Sequence, residues 1–384
     1  MKYFLMIALF ILGGCGKSEG VQDSNDLFKA PTLTGSAYKG MIFTGQAPDP
    51  SIPTGRSNQY DFQEGFIKAL SNGESANAAV FSVGDKVLLF NRLDGQIDFR
   101  TITPGSSPSI STPIPLDLAP GDPFDAVSMV DGVSAMIAEP LGGKLRVLDY
   151  TSGALSNLAT SQSLTASPLR PIGLLREGDQ LAILHTGLEV KGEGIAVSNG
   201  TQQIFRARIQ NSGSILFQDS DLSTSNIEGI PLAGSNPSNF LNRKKTHAHI
   251  LSLCNPRIKA CRSALETFSD SRVSESILWD GFFNYEFQGQ IIDGPTEDQV
   301  FAIVKSNISQ SLLVKIDLTT KSVEEIQTFD SERLFGIAFD PSAGTLFVGG
   351  TKDGLGSLII YKDLKKLEEI SLDGVFYRSV FVNY

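Results

Sequence analysis

The sequence is poor in the residues that most often carry chemistry. Three histidines and three cysteines occur in 384 residues, and there is no G-x-S-x-G elbow, no H-E-x-x-H pair and no phosphate loop. Those gaps exclude the common serine-hydrolase, zinc-protease and nucleotide sites that leave linear motifs. Long helical periodicity is nearly absent, so strands are the building material. After residue 12 no apolar run approaches the length of a membrane span. Basic residues are in the minority, 32 against 42 acidic ones for a formal net charge of -10, and such a chain is poorly suited to nucleic acid.

What is present begins with an export signal. Lys2 precedes an apolar run from Tyr3 to Leu12, too short for a stable span and read as the hydrophobic region of a secretory signal. Gly13 and Gly14 give an accessible cleavage site, and Leu12-Gly13-Gly14-Cys15 resembles the bacterial lipobox. That resemblance implies cleavage before Cys15, a lipid on its thiol and an acyl chain on its new amine. Gly16, rather than Asp, resembles the sorting pattern of outer-membrane lipoproteins in diderm bacteria. Losing Lys2 would leave 31 basic residues against 42 acidic ones, a net charge of -11. With Cys15 set aside, Cys254 and Cys261 remain as a pair, for which an oxidising compartment makes a disulfide the default. Residues 16–36 are polar and turn-prone and read as a tether. The expected organisation is a signal peptide over 1–14, a lipidated Cys and tether over 15–36, and one folded domain over 37–384.

The remaining composition, 41% hydrophobic with 37 Gly and 18 Pro, is that of a turn-rich globular chain. Five hairpin-like units superimpose: Leu88 to Ile102, Leu145 to Ala159, Ile204 to Ser220, Leu313 to Gln327 and Leu358 to Leu372, with a weaker sixth from Ser263 to Leu278. Each has an alternating strand, a polar turn and a second strand. An Asp or Asn near the turn (Asn91, Asp149, Asn211, Asp317, Asp363) is expected to bond local backbone N–H groups and fix it. Two more strand-like runs precede each hairpin, most clearly Leu334 to Asp340 and Thr345 to Gly350. Similar openings are Phe124 to Val130, Pro171 to Arg176, Gln290 to Asp293 and Gly65 to Leu70. Four-stranded units from residue 64 to 372 at a spacing of about fifty residues have the period of propeller blades. Val375 to Tyr384 reads as an opening strand, while Tyr38 to Gly45 and Tyr60 to Phe62 read as strands lacking one. Joined, they make one more blade and remove the exposed edges. The expected fold is an all-β, seven-bladed β-propeller of four-stranded antiparallel blades, closed by its N- and C-terminal strands. Six blades, with the amino-terminal strands outside the ring, is the alternative.

Val147 to Gly153 (VLDYTSG) and Lys315 to Lys321 (KIDLTTK) are similar to the hairpins of bacterial YVTN/YncE-like propellers, a superfamily that also contains lactonases and quinoprotein-like domains. The resemblance covers residues 64 to 384 as architecture, with the motif itself in two blades. The YVTN string is absent, and Trp279 is the only tryptophan, where quinoprotein-type propellers usually carry one per blade. The resemblance implies the fold and carries over no active-site residue.

The strongest local anomaly runs from Gly229 to Leu265, which holds no Asp or Glu but contains Arg243, Lys244, Lys245, Arg257, Lys259 and Arg262. Such a window makes a positive potential suited to an anion or partner contact, and a Cys254–Cys261 bond would present Arg257 and Lys259 on a stapled loop. His247 and His249 share one face of a strand, but H-x-H-x4-C-x6-C fits no zinc pattern. Asp219, Asp221 and Ser223 begin like a calcium loop and lack its Gly and closing Glu. The Pro-rich segment Thr103 to Pro123 reads as an exposed crossing between blades, and the Gly-rich stretch Gly187 to Gly200 as a similar insertion. The sequence thus points to a lipid-anchored envelope module that binds or scaffolds a protein or envelope ligand, with no cofactor expected. The alternative is a metal-dependent hydrolase or lactonase whose ligands come from separate blades.

Overall fold

The computed structural model describes residues 36–46, 55–74, 78–93, 96–119, 122–123, 125–129, 131–157, 171–185, 188–191, 194–197, 203–210, 215–224, 240–244, 247–252, 264–269, 272–278, 291–307, 310–330, 333–352, 355–372 and 374–384. Strands β1 (Gly40–Gln46), β2 (Gly55–Asp61) and β3 (Phe66–Glu74) come first. Sheet 1 follows with β4 (Ala79–Val83), β5 (Lys86–Leu93) and β6 (Gln96–Thr103), the last pairing with both β7 (Ser109–Ile110) and β8 (Ile114–Leu116). Sheet 2 contains β9 (Asp125–Ser128), β10 (Ser134–Glu139), β11 (Lys144–Asp149) and β12 (Leu155–Asn157). Sheet 3 has β13 (Pro171–Glu177) and β14 (Gln180–His185), then an inserted hairpin of β15 (Leu188–Lys191) and β16 (Gly194–Val197), then β17 (Gln203–Ile209) and β18 (Ile215–Thr224). Sheet 4 comprises β19 (Phe240–Lys244), β20 (His247–Ser252), β21 (Ala264–Ser269) and β22 (Arg272–Leu278). Sheet 5 comprises β23 (Ile291–Asp293), β24 (Gln299–Asn307), β25 (Gln310–Asp317) and β26 (Val323–Asp330). Sheet 6 comprises β27 (Arg333–Asp340), β28 (Thr345–Lys352), β29 (Leu355–Lys362) and β30 (Lys365–Leu372). The last strand, β31 (Val375–Val382), pairs antiparallel with β1, so the closing sheet has the order β3-β2-β1-β31.

The described strands therefore sort into seven sheets of four or five strands and one two-stranded hairpin. Their innermost strands touch in a cycle: β4 with β9, β9 with β13, β13 with β19, β19 with β23, β23 with β27, β27 with β31, and β31 with β4. Both ends of the described chain thus meet in one sheet, which leaves the ring without an open seam.

Burial follows this layering. Middle strands are covered on both faces by neighbouring sheets: β10 (SAMIAE) and the first six residues of β28 (TLFVGG) are wholly buried, with polar residues only toward their ends. Alternation sets in further from the middle strands, as in β6, third in its sheet, where Ile97, Phe99 and Ile102 are buried between more exposed neighbours. The core is divided into wedges between sheets. Phe81, Phe90 and Phe99 of sheet 1 meet Ala135, Ile137 and Leu148 of sheet 2. Phe62 of the closing segment stacks on Phe347 of sheet 6 with centroids 5.1 Å apart. Each such ring contributes about 1.5–3 kcal/mol on burial, and its loss would be felt by two sheets.

Two expectations are corrected. Gly65 to Leu70 does not open sheet 1. Its strand is β3, at the outer edge of the closing sheet, because β-alternation alone does not say to which sheet a strand belongs. The Pro-rich segment is not simply a crossing: β7 and β8 within it pair with β6 and form the outer edge of sheet 1. Pro115 lies opposite Asp98, a place where proline is tolerated because an edge strand need not donate on both sides.

The strand order also sorts the connections. Innermost strands run away from one end of the sheets, and the long segments 158–170, 225–239, 253–263 and 279–290 all join strands at the end where innermost strands begin. The other end carries short turns.

Candidate functional site

Three innermost strands converge at the short-turn end around an open groove of about 250 Å³. Ser82 and Val83 come from β4 with Gly84 of its turn, Val127 and Ser128 from β9, and Leu175 and Arg176 from β13 with Gly178 of the next turn. The local cause is a repeated pattern: each of the three strands ends in a turn that pairs Gly with an acid, Gly84-Asp85, Asp131-Gly132 and Gly178-Asp179. All three glycines have positive φ, 63°, 69° and 61° respectively, a conformation that Gly adopts without penalty.

Arg176 fixes the floor. Its Nη1 donates to Ser128 O at 2.6 Å and to Ser128 Oγ at 3.2 Å, and its Nε donates to Gly178 O at 2.8 Å. An innermost strand has one edge outside its own ladder, so these bonds satisfy a carbonyl of β9 and tie it to β13. Further along the same seam Asp125 does the complementary task. Its Oδ2 accepts the N–H of Leu174 at 2.7 Å and its Oδ1 the N–H of Ala126 at 2.8 Å. Burial pushes its carboxyl up to about 7 against the pull of those two bonds.

The rim is acidic. Asp85, Asp131 and Asp179 are exposed, and Asp85 lies 3.2 Å from Lys86. Asp131 accepts the N–H groups of Val133 at 3.0 Å and Ser134 at 2.9 Å. Burial pushes its carboxyl up, but the Ser134 hydroxyl and those two N–H groups outweigh it and hold the group below the ordinary range. Tyr150 nearby is pushed up by burial and by the charges of Asp131 and Asp85. Val133 stands half exposed at the same end.

A second ionic set lies at the other end of sheet 2. Glu139 is 1% exposed and its Oε1 accepts from Arg146 Nε at 2.8 Å, while Arg146 Nη2 also donates to Asp117 O. Buried Asp122 accepts the N–H of Gly142 at 2.8 Å and of Leu141 at 3.2 Å. Burial pushes Glu139 up, against the pull of Arg146. These groups hold backbone and each other. Among the described residues no three His, Cys, Asp or Glu side chains converge as a cation would require.

The turn carboxylates behave as the hairpin pattern implies at two of the five positions. Asp149 Oδ1 accepts from Thr151 N, Ser152 N and Ser152 Oγ, and Asp317 Oδ1 from Thr319 N, Thr320 N and Thr320 Oγ1. Asn91 is a correction: it lies opposite Asp98 in the ladder and donates to that carboxylate at 3.1 Å, because the turn here falls beyond the strand's end. Asp363 occupies the turn itself with φ 49°, and Asn211 lies outside the described residues.

Of the basic stretch, Arg243 and Lys244 end β19, where Lys244 faces His247 of β20. Arg257, Lys259 and Arg262 fall in the connection that leaves the opposite end of β20, after Ser252. That connection lies outside the described residues, as do Lys245, Cys254, Cys261 and Cys15. His249 lies opposite Leu241 and Thr267, His185 ends β14, and Asp219, Asp221 and Ser223 fall within β18. The groove residues escaped the sequence reading because each sheet supplies only two or three of them. The repeated Gly and Asp turn was the available signal.

Comparison with solved structures decides the architecture. A candidate 6-phosphogluconolactonase from Bacteroides fragilis superimposes with a TM-score of 0.58 at 12% identity, covering 92% of this chain and 99% of its own. A second candidate from Bacteroides uniformis gives 0.57 at 11%, covering 90% and 100%. The periplasmic gluconolactonase PpgL of Pseudomonas aeruginosa gives 0.58 at 12%, covering 89% and 98%. The fold is a β-propeller. No family model matches the chain, and no curated protein matches it in sequence, so the likeness extends to the fold and stops there.

Proposed function

We propose that the protein is a binding module of the bacterial cell envelope, held to a membrane by lipid on Cys15 and gripping a protein or envelope component at the groove. The observation that carries this reading is the use made of the ionisable groups there. Arg176 and Asp125 are spent on joining β9 to β13, and Asp131 on its own turn. What the groove offers a visitor is an open concave surface of mixed character, with Ser82, Ser128 and Arg176 beside Val127 and Leu175. Its place in the envelope rests on the export signal and the lipobox-like Leu12-Gly13-Gly14-Cys15, and the periplasmic address in PpgL's name is consistent with it. A photo-crosslinking residue introduced at Ser82 should give discrete protein adducts in cells, while one at the remote turn residue Asp363 should not. Mass spectrometry of the membrane fraction should find Cys15 acylated, and an unmodified soluble chain would overturn the anchoring.

The names of the superimposed propellers favour a second reading, lactone hydrolysis. Gluconolactone and 6-phosphogluconolactone should be turned over no faster than in buffer, with or without added divalent cations. Saturable turnover by the purified folded domain would replace the binding reading with this one.

A further inference from the structure

The first described residues fix where the chain leaves the ring. Lys39 N–H donates to Val382 O at 2.9 Å. The Tyr38 ring packs edge-on against Phe347 of sheet 6 and Phe381 of β31, with centroids 6.0 and 5.9 Å away. Ala37 N–H donates to Asp340 Oδ2 at 2.5 Å, and the Ser36 hydroxyl bonds the same carboxylate. Residues 36–39, held one after another in this way, give the preceding chain a single point of departure. Asp340 is the last residue of β27, so that point lies at the short-turn end, on an innermost strand and near the centre of the ring rather than on its rim. The groove lies at the same end, on β4, β9 and β13. The inserted hairpin of β15 and β16 and the long connections belong to the opposite end.

We infer that the ring stands with its short-turn end toward the membrane that holds the lipid on Cys15, so that the groove opens onto that membrane and is reached by components seated in it. Twenty residues, 16–35, separate Cys15 from the held exit, and a polar chain of that length spans about 25 Å on average. An eight-residue strand such as β31 is about 26 Å long. Presenting the opposite end to the membrane would make residues 16–35 run the height of the sheets before reaching the lipid, which consumes their average span. The central exit acts in the same sense, because the pull of the anchor then runs along the ring's axis and not at one edge. This inference rests on the anchoring proposed above and adds the direction of the binding face and the source of its occupant.

The test uses the mature, acylated protein in vesicles of phosphatidylethanolamine and phosphatidylglycerol that carry an energy-transfer acceptor on a fraction of their headgroups. A donor dye is attached through an azide-bearing residue introduced at one exposed position at a time: Asp179 or Thr296 at the short-turn end, Gln96 or Lys144 at the other. Transfer from Asp179 and Thr296 should exceed that from Gln96 and Lys144 about twofold or more. Inserting about forty Gly and Ser residues between Pro31 and Thr32 should shrink the difference, since the average span grows with the square root of length. Equal transfer from the two ends, or more from Gln96 and Lys144, overturns the inference and leaves the anchoring through acylated Cys15 in place. A difference untouched by the longer tether also overturns it, because some other contact then sets the direction. In cells, the partners crosslinked from Ser82 should carry a membrane span, a barrel or a lipid, and soluble partners alone would overturn the assignment of the occupant to the membrane. An unmodified Cys15 removes the anchoring and this inference together.

Discussion

A single buried carboxylate makes the β9–β13 seam sensitive to pH. Asp125 gives both oxygens to backbone N–H groups, yet burial raises its carboxyl from 3.8 to about 7. Folding therefore favours its protonated form. Its contribution to stability is full below about pH 4 and is lost as pH rises through 7. The turn carboxylates act in the opposite sense. Asp149 and Asp317 are held low by the N–H and hydroxyl of Ser152 and of Thr320 respectively. For Asp340 burial acts upward, but the Ser342 hydroxyl and Ala37 N–H outweigh it. Their contribution is present above about pH 4 and lost below it. Melting temperature should rise as pH falls from 8 to about 5 and drop again below 4. Asp125→Asn should flatten the upper limb of that profile and leave the lower one, and an unchanged upper limb would remove Asp125 from this role. The bonds of Asp149 and Asp317 were legible in the sequence because an Asx turn is a local event. Asp125 was not, because Leu174, its partner, is 49 residues away and no local pattern encodes the meeting of two sheets.

At the scale of elements the same hairpin turn occurs twice with different residues at its left-handed position. Gly153 has φ 72° and Lys321 has φ 60°, each four residues after the turn's Asp. A β-carbon on Gly153 would lie 2.4 Å from Ile114 Cγ2 and 3.2 Å from Phe99 Cε1, so this turn is also pressed against the neighbouring sheet. Gly153→Ala should cost about 2–4 kcal/mol, combining left-handed strain with overpacking. Lys321→Gly should instead gain about 0.5–1 kcal/mol by removing that strain. Chemical denaturation of the two variants checks both signs. A destabilised Lys321→Gly would mean that the lysine side chain outweighs its backbone. The hairpins themselves were legible because each is a contiguous alternating pair with turn residues between. Assignment to sheets was less so: β3 reads as well as an opening strand as it does as an outer one, and only its pairing with β2 decides.

The whole molecule depends on where its two ends meet. β31 pairs along β1 from Gly40–Val382 to Gln46–Val375 and also touches β27 and β4, the innermost strands on either side. Phe381 packs with Tyr38, Phe62 and Phe347, and Val380, Val382 and Tyr384 pack against the core between the closing sheet and sheet 1. Tyr384 Oη donates to Asp61 Oδ2 at 2.7 Å, and Lys39 N–H donates to Val382 O at 2.9 Å. Removing residues 374–384 takes away the innermost strand of one sheet and opens the apolar faces of two neighbours, so the loss spreads around a cycle in which every sheet supports the next. At the start of the described chain, the Ser36 hydroxyl and the Ala37 N–H both donate to Asp340 of sheet 6, the latter to Oδ2 at 2.5 Å. Deleting residues 16–31 should leave the cooperative unfolding transition in place. Deleting everything after Asp373 should give insoluble or protease-sensitive protein. Adding a synthetic peptide of residues 374–384 should restore protease resistance to whatever truncated chain stays soluble, by supplying the missing strand in trans. A carboxy-terminal truncation as resistant and as cooperative as the full chain would show that the ring does not depend on β31.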